Sequence, residues 1–168
     1  MKHWLPLNAT VKVTGSQGWD QQDAPLTANF DIEVPGYAAI AGKRILVTDY
    51  LFQTRQKEAF KHSVRKYPVY FPYAFAEFDE IVVTLPPGYT LESSPERQQV
   101  AIDFARYRRV SEVSGNQINM KRMLLLEGIF FDLSLYDKLK AFFATVQAGD
   151  EAQTVLQRAE AKTPPKPN

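Results

Sequence analysis

A Gly-Asn pair at positions 115–116 sits between two long arms, "QQVAIDFARYRRVSEV" and "QINMKRMLLLEG", and no other part of the chain limits the fold as tightly. Glycine followed by asparagine suits a two-residue turn, so the arms fold back as an antiparallel hairpin. Pairing outward from the turn sets Val113 opposite Ile118, Tyr107 opposite Leu124 and Ala105 opposite Leu126, all on one face. A slip of one residue would scatter that face, so the pattern specifies the register. The same register places Arg109 opposite Arg122 on the otherwise apolar face. Like charges directly opposite each other are unfavourable unless something anionic lies between them. Either the basic set Arg106, Arg108, Arg109, Lys121 and Arg122 binds an anion or an acidic partner, or an arginine pairs with an internal carboxylate, or the hairpin tip projects into solvent.

Two-residue alternation governs the rest of the chain as well. "TANFDIEVP" puts Ala28, Phe30, Ile32 and Val34 on one side and Asn29, Asp31 and Glu33 on the other, the mark of a strand with one wet face. "TVKVTG" and "RILVTDYLF" repeat the pattern, and "FDEIVVTLPPGY" is a β-branched run stopped by Pro86-Pro87-Gly88. One helix is predicted after the hairpin. Ser134 is placed to cap it, Asp137 lies near the positive end of its dipole, and Leu135, Leu139, Phe142, Phe143 and Val146 form its apolar stripe. Gly149 is the expected stop, and "AQTVLQRA" reads as a last strand. These elements predict a mainly β protein: an antiparallel β-sandwich of roughly eight strands with one C-terminal α-helix. Residues 1–160 form one domain in this reading, and 161–168, "KTPPKPN" within them, a disordered tail.

The totals exclude several classes of function. At 168 residues, with 45% hydrophobic and 23% charged residues, the chain is that of one globular domain. A net charge of +1 supplies no global field for nucleic acid or an anionic membrane. Cysteine is absent, which removes thiolate metal sites, disulfides and thiol nucleophiles together. No window approaches a membrane span, and the N-terminus "MKHWLPLNATVKV" lacks the apolar run of a secretory leader.

Few residues offer chemistry. His3 and His62 are the only histidines, and neither has a second ligand at metal-binding spacing. No Gly-rich phosphate loop or nucleophile elbow is present. Glu77 and Asp79 share a strand face about 6.5–7 Å apart, a spacing compatible with paired acid–base work. The commoner arrangement is an outer, solvated face on a strand whose apolar side carries Phe78. The stretch "VRKYPVYFPYAF" holds Tyr67, Tyr70, Phe71, Tyr73 and Phe75 on both parities, cut by Pro68 and Pro72. It reads mainly as core and sheet edge, with Tyr73 and Phe75 on one side as a core pair. Its phenols also allow a ligand surface for sugar or peptide.

The order of the motifs carries a resemblance. Phe60, Arg65, Pro68 and Val69 form an "F-x(4)-R-x-x-P-V" run, followed by "LPPGYTLESSP" from Leu85 to Pro95. The two-stranded stretch with Lys121-Arg122 comes next, and then Tyr136, Leu139 and Phe142 as "Y-x-x-L-x-x-F". This series resembles the C-terminal β-sandwich domain of bacterial transglutaminase-like proteins, from about Asn8 to Arg158. The resemblance implies a non-catalytic accessory module beside a papain-like transglutaminase domain of the same polypeptide, outside the cytoplasm and in the periplasm. The family's Cys-His-Asp set belongs to that neighbour, and this chain has no cysteine to match it. Contact with the neighbour is expected at Arg65, Tyr67, Tyr70, Arg106, Arg108, Arg109, Lys121 and Arg122, with no cofactor, metal, nucleic acid or membrane insertion. Two other classes stand beside it: a free-standing carbohydrate- or peptidoglycan-binding module using Trp4, Trp19 and the tyrosines, and a hydrolase using Glu77 and Asp79.

Overall fold

The structure is a computed structural model that describes residues 5–52, 60 and 62–159. His3, Trp4 and the expected tail at 161–168 lie outside the described residues. Strands alternate along the chain: β1 (Thr10–Gln17), β2 (Thr27–Glu33), β3 (Ala39–Ala41), β4 (Arg44–Thr48), β5 (Val69–Tyr70) and β6 (Phe75–Thr84). Then come β7 (Tyr89–Ser93), β8 (Gln98–Ile102), β9 (Ala105–Ser114), β10 (Gln117–Leu126) and β11 (Phe130–Phe131). Helix α1 (Tyr136–Asp150) and strand β12 (Gln153–Arg158) complete it. The protein is mainly β and its sheets are antiparallel, as the alternation predicts. The described residues hold twelve strands in four sheets rather than roughly eight. The excess comes from short pieces: Pro68 and Pro72 confine β5 to two residues, because proline cannot donate to a ladder.

Strands β6, β10, β9 and β8 form one four-stranded sheet in that order. The β9–β10 hairpin has the predicted register, with Ala105, Tyr107, Arg109 and Val113 opposite Leu126, Leu124, Arg122 and Ile118. Gly115 has φ 60 and Asn116 has no positive φ, as in a turn whose first central residue alone must be left-handed. The inner face of this sheet has a two-part cover. Toward one end lie Ala105, Tyr107, Leu124 and Leu126, packed with Leu139, Phe142 and Val146 of α1. Toward the other, Ile118 and Met120 meet Leu156, Ile45, Val47 and Leu91 from the second four-stranded sheet, ordered β3, β4, β12, β7. The predicted last strand is thus central to that second sheet, hydrogen-bonded to β4 and β7 on either side.

Two details of α1 differ from expectation. Ser134 does not cap it. Asp132 accepts the Ser134 backbone N–H at 2.9 Å and closes a 3-10 turn, Leu133–Leu135, that leads into the helix. Gly149 is not a stop either: it is the penultimate helical residue, where a Cβ would meet the Tyr107 hydroxyl at 2.4 Å and Gln98 Oε1 at 2.5 Å. Glycine is there to let the helix touch the sheet.

The aromatic stretch divides between core and surface without following parity. Val69 is buried and Phe71 packs among Phe60, Phe131 and Phe143, with ring centroids 5.8–6.5 Å from it. Tyr67, Tyr70 and Tyr73 point outward. Tyr73 is therefore not a core residue: it meets the half-buried Phe75 edge-on at 6.5 Å while remaining largely exposed. Hairpin β1–β2 is a separate two-stranded sheet whose residues join neither hydrophobic cluster. No described helix is long and apolar enough to cross a membrane.

Candidate functional site

The arginine pair predicted at the hairpin's centre lies at the seam where the helix and the second sheet meet over the first. Arg109 and Arg122 are 1% and 2% exposed. Each cover element supplies a carboxylate there. Asp49 follows β4 directly, and its Oδ2 accepts from Arg109 Nη2 at 2.6 Å. Asp150 ends α1 and receives Arg122 through both oxygens, from Nε at 2.7 Å and Nη2 at 2.8 Å. The remaining Arg122 Nη1 donates to Glu77 at 2.9 Å and Asp79 at 3.0 Å. Arg109 Nη1 donates to the carbonyl of Gly149 at 2.6 Å, the Thr154 hydroxyl to Asp49 at 2.6 Å, and the Tyr107 hydroxyl to Asp150 at 2.8 Å. The Tyr50 ring lies 5.7 Å from one guanidinium and 6.0 Å from the other.

This environment shifts ionisation in the directions burial and charge demand. Burial pushes the Tyr50 hydroxyl up to about 12, and burial with the nearby Asp49 charge does the same to Tyr37. Burial and then Asp150 raise the Tyr107 hydroxyl well above the ordinary phenol range. Burial likewise raises the Asp49 carboxyl, against the pull of the Thr154 hydroxyl and the Arg109 guanidinium. Burial opposes the charge on Arg122, but its bonds to Asp150 and Glu77 outweigh that and raise its pKa. Shifted groups often mark reaction centres. Here the two guanidiniums are closed off from solvent and tied to internal acceptors. Of their nitrogens, Arg109 Nε has no partner. The arrangement locks α1 and both four-stranded sheets together through buried ion pairs.

Glu77 and Asp79 correct an expectation. They belong to the inner face of β6, in line with Ile81 and Val83, and their carboxylates neutralise Arg122. Phe78 is the outward residue, 74% exposed. The two acids are counterions at the seam, not a solvated outer row.

The eight predicted contact residues fall in three places. Arg109 and Arg122 are interior, as above. Arg106, Arg108 and Lys121, on the opposite parity, lie on the outer face of the first sheet. There Arg106 pairs with Glu127 at 3.3 Å and Lys121 with Glu80 at 2.9 Å. Arg65, Tyr67 and Tyr70 sit elsewhere: the Arg65 guanidinium is 5.8 Å from the Tyr136 ring centre, and Tyr70 is cross-strand from Phe130, both rings exposed. Nearby, the backbone carbonyl of His62 accepts from the Tyr136 hydroxyl and from Lys140. The outer face itself is what sequence reasoning missed. A groove of about 450 Å³ runs over it, lined by Phe78, Asp79, Glu80, Arg108, Val110, Lys121, Arg122 and Met123. The inward parity of Ile81 and Val83 was the available signal, since it forces Phe78 out. Among the described residues no group of three or more His, Cys, Asp or Glu side chains is arranged to hold a metal ion.

A family model for a domain of unknown function with a solved structure, DUF3858, matches residues 43–156, and the chain belongs to that family. The match begins near β4, so the β1–β2 hairpin lies outside it. Among the residues behind the sequence resemblance, Phe60, Val69, Leu85, Tyr136, Leu139 and Phe142 are buried, whereas Arg65 and Lys121 are exposed. The fold is also similar to that of a crystal structure of a putative protease from Parabacteroides distasonis, with a TM-score of 0.51 and 21% identity over 57% of this chain. The chain spans only 19% of that protein's length. No protein of curated function matches.

Proposed function

We propose that this chain is a non-catalytic accessory domain of a larger transglutaminase-like, papain-related protein, and that it packs against the catalytic neighbour or presents substrate to it. One observation carries the reading: the strongest cluster of ionisable groups, around Arg109 and Arg122, is consumed in holding the fold together. The likeness to a small share of a much longer protein described as a protease supports a module within a larger chain. The periplasm is the compartment that goes with this reading.

The reading frame upstream of Met1 tests it. Cysteine, histidine and aspartate in papain-like order should be encoded there, and deleting residues 43–156 from the parent should lower the neighbour's stability or turnover. A parent whose catalytic domain is equally stable and active without this segment would refute the proposal.

A further inference from the structure

We infer that the outer face of the β6–β10–β9–β8 sheet, centred on Phe78, Met123 and Arg108, is the surface on which a neighbouring domain of the same polypeptide docks. The complementary surface presents an apolar ridge beside a carboxylate that pairs with Arg108. This rests on the accessory reading above and names the face that reading requires.

Three observations lead to it. The first is polarity. Cross-strand registers line Phe78, Met123 and Arg108 in one row across β6, β10 and β9. Phe78 is 74% and Val82 53% exposed, on a face that neither α1 nor the second sheet covers. The Glu80–Lys121 ion pair separates Val82 from Phe78, so the apolar patch is Phe78 with Met123, flanked by charge, the mix found at interaction sites. The second is charge. Arg106 and Lys121 have internal partners, whereas Arg108, beside Phe78 and Met123, has no ion pair among the described residues. Covering a guanidinium with apolar surface is costly unless an anion meets it, so the cover must carry a carboxylate. The third is chain length. The similar protease structure is several times longer than the matched part, so this fold occurs there alongside other domains. The β5–β11 patch, with Tyr70 and Phe130 exposed, is a rival docking surface, but its strands are two residues each.

The test is calorimetry on the intact parent polypeptide. Docked domains unfold together in one transition. Phe78→Glu and Arg108→Glu should each split it in two, while the same changes in the isolated 168-residue chain leave its melting temperature in place. Substituting lysine for the facing carboxylate should restore the single transition in the Arg108→Glu parent. The Tyr70→Ala, Phe130→Ala double variant should leave it single. If only that double variant splits the transition, the face is wrong and the accessory reading stands. A wild-type parent that already melts in two independent steps, or a reading frame with no second domain, overturns both.

Discussion

The two faces of strand β6 reverse the usual rule for a sheet. Its inner side carries Glu77 and Asp79 beneath a helix and a second sheet, and its outer side carries Phe78 in solvent. These half-buried acids meet the buried Arg122, and Arg122 in turn is held by Asp150 from the end of α1. Nothing within the described chain offsets the exposure of Phe78. The inner face carries its own counterions, while the outer face is the one we propose for docking.

The largest effect should come from breaking the inner set. Arg122→Met removes the guanidinium shared by Asp150, Glu77 and Asp79. Loss of one partner from a buried pair costs about 3–5 kcal/mol, to be read from urea denaturation midpoints at constant slope. The comparison fails if the variant is as stable as the parent chain.

Gly149→Ala comes next. The new methyl group would press on the Tyr107 hydroxyl and Gln98, a strain of about 1–3 kcal/mol. Helix propensity offsets about 1 kcal/mol of this, so urea titration should show a modest net loss. A gain would mean that α1 can move off the sheet.

Alkali attacks the same seam. Tyr37 and Tyr50 keep their protons to about 12, while a tyrosine in the unfolded chain loses its proton near 10.0. Between those values the folded state binds more protons than the unfolded, so stability falls as pH rises. Thermal melts from pH 9 upward should show this decline, and phenolate absorbance should lag behind a free-tyrosine curve until unfolding. Stability that is flat through this window would show that the phenols are not enclosed.

The smallest effect belongs to the outer face. Phe78→Glu in the isolated chain should stay within about 0.5 kcal/mol of the starting stability, and Lys121→Ala should produce no detectable change in melting temperature. A clear loss at Phe78 would mean that the outer ring supports the fold after all.

How much of this was legible depended on the range of the interaction. The hairpin register could be read because one turn and two alternating arms determine it locally. The Arg109–Arg122 conflict followed at once, but its solution did not: Asp49 lies 60 residues from Arg109, and Asp150 lies 28 from Arg122. The face of β6 is misassigned when a single phenylalanine is weighted above the Ile81–Val83 parity that follows it. Helix cap and stop were misplaced for different reasons. Asp132 outcompetes Ser134 by closing a 3-10 turn before the helix, and Gly149 answers to Tyr107 across the core rather than to its own helix. Tyr73 misleads in a similar way, because its spacing from Phe75 suggests a shared core face.

A double-mutant cycle on Arg122→Met and Asp150→Asn tests the central claim most directly. If the charges at the seam exist to fasten the helix to the sheet, each single change should destabilise strongly and the pair should couple by about 2–3 kcal/mol. Near-zero coupling, with both single variants folded as firmly as the original, would contradict that account and reopen those side chains as groups with another purpose.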